Sequence, residues 1–318
     1  MKKSIAYLGI AIAAILAFSC KKDESTTSLP SLMGLYLEND PLPYVAPGTT
    51  ITLKADVSAM YTSDLSTPEK PIGLYWTVNG STTQRDTLTR DVSISNPAFS
   101  YTPTEVGYVT ISCVAFSEGY YAASTSTNFS AIDPETSITG LEGKTATIGN
   151  NKFYVTDING VSWMGNNLYG TQSGVSFYLS DVTDTFMGKF YTWEEALTAC
   201  PEGWKLPTAQ EWDALGDDAC ALMTDAYMLE SKLWPYWPGI TITNAKQFNA
   251  IPAGYVDRNG GDSNVQGFMG YAIFWTASES EEDPMLAQYR YIYADKSKVQ
   301  QGEGSKTSLA LSVRCIKK

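Results

Sequence analysis

Apolar and polar residues alternate along several short segments in the first half of the chain. The alternation is clear over residues 51–57, 74–78 and 109–115, and the pair Asn79-Gly80 follows the second of them. A period of two residues between turn signals is typical of short strands in an antiparallel sandwich. We therefore predict an all-β module over residues 33–132.

Two segments of the second half show the helical period instead. Thr192 with Glu195, and Thr208 with Glu211, form the capping boxes that start helices. Behind each box the residues at helical spacing are apolar or small: Trp193, Ala196, Leu197 and Cys200 in the first, and Trp212, Leu215 and Ala219 in the second. We expect each set to form one buried stripe.

Strand patterns flank these two helices. Residues 152–164 form a predicted hairpin around the turn Asn159-Gly160, and residues 289–294 and 309–316 look like closing strands. These helices and strands belong to a second module over residues 145–318. A linker at residues 133–144 joins it to the first module.

The N-terminus has the features of a secretory signal over residues 1–19. Lys2 and Lys3 precede an apolar stretch that is too short to span a bilayer stably. The end of this stretch, Ala17-Phe18-Ser19-Cys20, resembles a bacterial lipobox, which implies that Cys20 carries a lipid after cleavage. The alternative is an ordinary signal peptide with a chance cysteine.

The residues from Cys20 onward predict where the mature protein is located in the cell. Lys21-Lys22-Asp23-Glu24 is similar to the surface-export signal of Bacteroidetes lipoproteins. Residues 24–31 are rich in Ser and Thr, which is expected of a tether, and we assign the lipidated tether to residues 20–32. We expect an outer-membrane lipoprotein that faces outward from the cell and contacts the membrane through its lipid.

Charge and composition exclude several classes of function. The chain has 22 Lys and Arg against 34 Asp and Glu, so its formal net charge is -12 and nucleic acid is not an expected partner. It contains no histidine, which removes Ser-His-Asp and Cys-His catalysis and His-ligated zinc. Acids are abundant, so no pair of carboxylates points to a glycosidase. We expect neither an enzyme nor a bound cofactor.

A series of short motifs runs through the second module. The longest is Cys200-Pro201-x-Gly203-Trp204-x-Leu206-Pro207-Thr208-x-x-Glu211-Trp212, and the others lie at residues 156–160, 163–168, 191–196, 248–255, 274–279 and 312–315. Together they resemble the Fibrobacter succinogenes major paralogous (FISUMP) domain of surface lipoproteins. The Leu-Pro-Thr-x-x-Glu-Trp part is also similar to the formylglycine-generating-enzyme superfamily. Both resemblances imply a C-type-lectin-like α+β fold, with two helices on a twisted antiparallel sheet.

The first module has a resemblance of its own. Tyr75-Trp76 and residues 107–112 are similar to motifs of PKD and bacterial Ig-like modules, in which the tryptophan packs against a residue of a facing strand, here Cys113. The resemblance implies that Trp76 and Cys113 belong to the core, and that the module is a spacer.

Four cysteines remain beside Cys20, and their spacing leaves three pairings open. The FISUMP resemblance places a cysteine at Cys200 and at Cys315, and the lectin-like fold it implies brings these two positions together. We therefore expect a Cys200–Cys315 disulfide. Cys113 and Cys220 lie on different modules and are expected to be buried thiols outside any disulfide.

We expect the ligand to bind in the long interval at residues 229–283, because folds of this kind vary most in their loops. Trp234, Tyr236 and Trp237 stand among prolines, which stiffen the segment and exclude a central strand. Tyr236 and Trp237 are candidates for stacking on a sugar ring, and Trp234 is expected to be buried. The alternative is that one or two of these rings fill the core beneath the loop.

Polar side chains in the same interval would complement the rings. Asp257, Asn259 and Asp262 lie in a glycine-rich turn, and Glu279 begins an acidic run. Their oxygens would accept hydrogen bonds from sugar hydroxyls, or bind calcium if calcium binds at all, although Asp262 stands where an EF-hand loop needs glycine. The calcium motifs of C-type lectins are absent. A polar turn and a solvated acidic loop are the structural alternatives.

These observations favour a binding protein. We expect a surface lipoprotein whose lectin-like domain recognises a glycan or a host or envelope ligand. The alternative is a structural or accessory component of an envelope assembly, such as a fimbrial tip subunit, without affinity for a small ligand.

Overall fold

The computed structural model describes residues 29–57, 71–88, 98–259 and 264–318. The predicted signal and lipidation site lie before the described residues. Within the described ranges, no helix is long and apolar enough to cross a membrane. Most of the regular structure is β-sheet, distributed over two modules.

Two sheets form the first module. One contains β1 (Tyr36–Glu38), β3 (Ile51–Asp56) and β6 (Ala98–Tyr101). The other contains, in spatial order, β2 (Tyr44–Val45), β8 (Ala123–Ala131), β7 (Gly107–Phe116), β4 (Ile72–Val78) and β5 (Ser81–Leu88). Neighbouring strands run antiparallel, except that β2 and β8 are parallel.

The predicted alternation is confirmed in this module. Along β3, Leu53 and Ala55 are buried and the residues between them face outward. Trp76 of β4 is fully buried beside Cys113 of β7, and its ring stacks on Phe99 of the other sheet with centroids 5.1 Å apart. The two sheets therefore share one apolar core, as in a sandwich.

The described part of the second module contains one larger sheet and several smaller ones. The larger sheet contains β10 (Lys144–Ile148), β11 (Asn151–Ile158), β12 (Val161–Met164), β24 (Ile316–Lys317) and β15 (Trp204–Lys205). Two three-stranded sheets contain β20 (Tyr271–Glu279), β21 (Leu286–Tyr293) and β22 (Gln300–Ser305), and β19 (Val265–Gln266), β18 (Tyr255–Asp257) and β23 (Leu309–Ala310). The remaining sheets contain β13 (Val175–Ser176) with β14 (Lys189–Phe190), and β17 (Ser231–Lys232), β16 (Tyr227–Met228) and β9 (Ile138–Thr139).

Both predicted Asn-Gly turns are confirmed. Asn79 and Gly80 have φ values of 48° and 82°, and Asn159 and Gly160 have 53° and 82°. Two successive residues with positive φ form the tight hairpin turn that matches the twist of the strands on either side. The second of these turns joins β11 to β12, as the pattern of residues 152–164 predicts.

Short helices lie between the strands: α1 (Asp184–Met187), α2 (Trp193–Ala199), α3 (Ala209–Asp213) and α4 (Ala219–Leu222). The two predicted capping boxes are confirmed. Thr192 accepts a hydrogen bond from the backbone N–H of Glu195 at 3.3 Å, and Thr208 accepts one from Glu211 at 3.2 Å. In each box the glutamate carboxylate accepts a hydrogen bond from the backbone N–H of the threonine in return.

Two details of the predicted helices are wrong. Leu197 is 44% exposed, because the buried side of α2 is narrower than the predicted stripe. The second helix ends at Asp213, and Gly216 just beyond it adopts φ +85°, the left-handed conformation that ends helices. Leu215 and Ala219 are buried as predicted, but they reach the core from the turn and from the start of α4.

The prediction of one closing strand over residues 309–316 is also wrong. Only β23 and β24 form at its ends. Between them Leu311 pairs with Tyr191, and Ser312 pairs with Phe274. The segment passes from one sheet to the next, so its backbone groups form hydrogen bonds with several elements in turn.

The predicted disulfide between Cys200 and Cys315 is confirmed, with Cα atoms 5.9 Å apart. It ties the end of α2 to the residue that directly precedes β24. Cys113 and Cys220 form no disulfide among the described residues. Cys113 is fully buried as predicted, whereas Cys220 is partly exposed, which corrects the expectation that both are buried.

A buried arginine holds the same closing segment in place. The Arg314 guanidinium donates hydrogen bonds to Asn167 Oδ1 at 2.8 Å, to the Asn249 carbonyl at 2.9 Å and to the Met164 carbonyl at 3.2 Å. It also lies 4.6 Å from the ring centroid of Phe248. Burial lowers the pKa of Arg314 to about 9. These contacts offset the free-energy cost of burying a cation. They also hold the segment between β23 and β24 in place.

The two modules contact each other directly. The ring of Tyr44 in the first module lies 5.6 Å from that of Phe177 in the second, measured between centroids. The Tyr108 hydroxyl is 3.0 Å from Ser231 Oγ. Burial, with neighbouring tyrosines, raises the pKa of Tyr44 to about 12. The segment at 133–144 contributes β9 to a sheet of the second module, so it packs against that module along part of its length.

Candidate ligand-binding groove

The sheet of β20, β21 and β22 presents a row of aromatic rings on one face. Directly opposed residues of antiparallel strands lie on the same face of a sheet. The pairs on this face are Tyr271 with Tyr293, Ile273 with Tyr291, and Trp275 with Tyr289. Residues of the opposite face, among them Phe274 and Ile292, pack into the core with Trp212.

The aromatic face forms the floor of a groove of about 330 Å³, which we call the tyrosine groove. Neighbouring segments supply its walls. The lining residues are Tyr255, Tyr271, Ile273, Tyr289, Tyr291, Leu309 and Leu311. None of them carries a charge at neutral pH. The groove is therefore an apolar hollow whose polar atoms are phenol hydroxyls and backbone groups.

The tyrosine rings contact one another in a continuous series. Centroid distances are 5.9 Å between Tyr289 and Tyr291, 6.2 Å between Tyr291 and Tyr271, and 4.5 Å between Tyr271 and Tyr293. Tyr255 lies 6.5 Å from Tyr271 across the groove. These separations are typical of favourable ring pairs. All five rings are half-buried, so part of each remains accessible.

Glycines in β22 make room for one ring of this series. A Cβ at Gly302 would lie 2.6 Å from Cζ and the hydroxyl oxygen of Tyr289, and one at Gly304 would lie 3.3 Å from the same ring. Neither glycine has a positive φ, so the backbone conformation would allow a side chain at both positions. A side chain is excluded because there is no space for it. Tyr289 therefore lies against the backbone of the edge strand.

Two phenols of the groove, Tyr271 and Tyr289, have a pKa above the ordinary value for tyrosine. Burial, with smaller effects of Tyr291, raises the pKa of Tyr289, and burial, with Tyr293, raises the pKa of Tyr271. In the part of the chain that the structure describes, the hydroxyls of Tyr255, Tyr289 and Tyr291 form no hydrogen bond. Each of these hydroxyls is therefore available to donate a hydrogen bond to a ligand or accept one from it.

The structure separates the three aromatics of the predicted loop site. Trp234 is fully buried, and its indole N–H donates a hydrogen bond to the Ala250 carbonyl at 2.9 Å. Tyr236 is 82% exposed and Trp237 is 41% exposed. The exposed pair is thus available to a ligand.

Of the predicted polar residues, Asp257 lies beside the groove. Asp257 is paired with Leu309 of the groove wall, and its carboxylate accepts a hydrogen bond from the backbone of Asn259. Glu279 forms an ion pair with Lys306 at 2.7 Å. Asp262 lies outside the described residues. Among those described, no three Asp, Glu or Cys side chains come together as a metal site.

The loop aromatics and the polar residues do not contact each other directly. No hydrogen bond, ion pair or ring contact joins Tyr236 or Trp237 to Asp257, Asn259 or Glu279 among the described residues. Asp257 lies beside the tyrosine groove, because it pairs with Leu309 of the groove wall.

Three other described hollows are larger than the groove but present fewer accessible rings. One of about 470 Å³ lies between residues 134–141 and β11, and its Phe153, Tyr169 and Phe186 rings are buried. Another of about 490 Å³ is lined by polar and charged residues, among them Glu281 and Glu303. The third, of about 350 Å³, lies in the first module, and its accessible rings are those of Tyr44 and Tyr108. Of these four hollows, the tyrosine groove has the most partly accessible aromatic rings.

The groove was not predicted from the sequence, although one signal for it is present there. Tyr289, Tyr291 and Tyr293 follow one another at a spacing of two, which places three rings on one face of a strand. The other rings come from motifs far away in sequence. Only the register of β20 against β21 brings them together.

The fold is that of a β-rich protein of two modules, the second closed by a disulfide and carrying the groove. Residues 150–317 match the Fibrobacter succinogenes major domain, so the chain belongs to that family. No curated protein matches the chain. Among solved structures, the adhesin InvE of Yersinia pseudotuberculosis is similar over 91% of this chain and 71% of that chain, with 12% sequence identity and a TM-score of 0.26.

Proposed function

We propose that this protein is a lipid-anchored envelope protein whose second module binds an uncharged glycan in the tyrosine groove. On this proposal the second module is a C-type-lectin-like binding domain, and the first is an Ig-like spacer that holds it away from the membrane. The observation that carries the proposal is the series of accessible tyrosine rings in an uncharged groove.

The chemistry of the groove suits a sugar better than a charged ligand. The apolar face of a pyranose ring stacks on an aromatic ring, and its hydroxyls need partners that both donate and accept hydrogen bonds. Neutral phenols provide both. A charged ligand would lose its hydration without gaining an opposite charge, because none of the lining side chains is ionised at neutral pH.

The test is a glycan array probed with the full chain, followed by titration of the best ligand. We expect neutral oligosaccharides to bind. Tyr289→Ala should weaken binding by about tenfold or more, equivalent to about 1.4 kcal/mol. The matched control is Tyr236→Ala, which removes an exposed tyrosine outside the groove and should leave affinity unchanged. Binding of acidic glycans alone, or loss of binding in the control and not in Tyr289→Ala, would overturn the proposal.

The anchor is tested separately. If Cys20 carries the lipid, Cys20→Ala should release the protein from membranes, because the acyl chains of a lipoprotein provide its stable attachment. Fractionation after a carbonate wash measures the result. A variant that stays in the membrane fraction contradicts the anchor but leaves the glycan site unaffected.

A further inference from the structure

The row of rings on the floor of the tyrosine groove continues past the lining residues to Tyr293, so it is longer than one sugar ring. Tyr289, Tyr291 and Tyr293 are alternate residues of β21, and an antiparallel strand rises about 3.4 Å per residue, so the row extends over about 14 Å. The rings touch their neighbours without a gap along this length. A single pyranose would cover only part of the row.

One ring has a fixed platform beneath it. Glycine in the interior of a strand destabilises it by roughly 0.5–1 kcal/mol relative to alanine, so a pair of them in the six-residue β22 requires a reason. The reason is Tyr289, whose ring occupies the space where the Gly302 side chain would be. Since one side of the ring rests on the strand, its orientation is set before a ligand arrives.

The other end of the row has a different construction. Tyr271 and Tyr293 are a directly opposed pair with centroids 4.5 Å apart and an interplanar angle of 33°. At this distance the two rings stack on each other, so that each supports the other and only their outward faces can take a sugar. Tyr291 lies between this pair and Tyr289 and is close to both Tyr271 and Tyr289.

We propose that the groove binds a linear, uncharged glycan chain that lies along β21. Successive sugar residues stack on Tyr289 at one end and on the Tyr271–Tyr293 pair at the other. Gly302 is a positioning residue, because it keeps Tyr289 flat against β22. This proposal rests on the proposed function and deepens it from a sugar to a chain that fills at least two stacking positions.

If one glycan chain fills two stacking positions, its affinity for the protein should depend on the length of the glycan. Once the first sugar is bound, the second position is filled within the same complex, so affinity should increase strongly with the first few units. When the chain is longer than the row, further units add no contacts with the rings. We therefore expect affinity to rise by about tenfold or more from monomer to trimer and then to level off.

The probes are the monomer-to-hexamer series of β-1,4-glucan, α-1,4-glucan, β-1,4-mannan and β-1,4-xylan, titrated calorimetrically against the full chain. A rise to the trimer followed by a plateau in at least one series supports the proposal. Equal affinity for monomer and trimer overturns the chain-binding proposal and leaves the proposed function intact. Failure of every series to bind overturns both.

Gly302→Ala tests the platform, with Gln301→Ala on the same strand as the matched control. Gly302→Ala should displace the Tyr289 ring and reduce trimer affinity by about tenfold, while the control changes nothing. In a Tyr289→Ala background, Gly302→Ala should have no further effect, because the ring it displaces is gone. That background also removes the steric clash and so protects the test against misfolding. If Gly302→Ala reduces trimer affinity equally in the wild-type and Tyr289→Ala backgrounds, the positioning role of Gly302 is contradicted.

Discussion

Two aromatic regions of the second module differ in how the chain builds them. The segment at 234–237 gathers its rings within four consecutive residues, whereas the tyrosine groove collects rings from several separate strands and loops. The first is conspicuous in the sequence, and the second is almost invisible there. The structure buries Trp234 of the first region, whereas it brings the rings of the second together on one face of a sheet.

The difference follows from what each backbone can do with its side chains. In the irregular segment the rings diverge, so that Trp234 fills the core while Tyr236 faces solvent. In β21 the two-residue period sends Tyr289, Tyr291 and Tyr293 to the same face. Aromatic density in sequence therefore does not indicate aromatic density on a surface, and the period of the pattern is the better guide.

The largest expected effect is a loss of stability on removing the disulfide beside the groove. Cys315 packs in the same apolar cluster as Ile273 and Leu311 of the groove, while Trp234 belongs to a different cluster. Replacing Cys200 and Cys315 together by alanine should lower the free energy of unfolding by about 4–5 kcal/mol, because the disulfide closes a long loop in the unfolded chain. Urea denaturation measures this, with Cys220→Ala as the control. A loss no greater than that of the control contradicts the prediction.

The next largest effect is a difference in stability between variants of Trp234 and Tyr236 in the aromatic segment. Trp234→Ala should destabilise the protein by about 3–5 kcal/mol, because it leaves a cavity and removes the hydrogen bond to Ala250. Tyr236→Ala should change the free energy of unfolding by no more than about 0.5 kcal/mol, since the side chain is 82% exposed. Thermal and urea unfolding of the two variants provide the comparison. Similar losses in both would show that the segment packs as one unit.

The smallest expected effect is a loss of stability at alkaline pH. Burial raises the pKa of Tyr271 and Tyr289 above the ordinary value of 10.0, so the folded protein holds these protons more tightly than the unfolded chain does. Their contribution to stability is complete below about pH 10 and is lost as the pH rises through the raised folded-state values. We expect the urea midpoint to fall above about pH 10, and to fall less in the Tyr271→Phe/Tyr289→Phe variant. An identical fall in wild type and variant would assign the effect to other tyrosines, such as Tyr44.

Local signals of the sequence determined many elements of this protein correctly. The two capping boxes, the two Asn-Gly turns and the alternation in β3 each depend on residues only a few positions apart, so neighbouring side chains suffice to specify them. The motifs of the second module also identified its family, and with it the pairing of Cys200 with Cys315.

Other features were decided by packing between distant segments. Leu197 has the spacing of a core residue, but α2 buries a narrower side, and residues 309–316 have the composition of a strand but are shared among several sheets. The tyrosine groove depends on the register of β20 against β21 and on Gly302 opposite Tyr289. Such pairings join residues tens of positions apart, and a one-residue change of register would turn the rings to the other face.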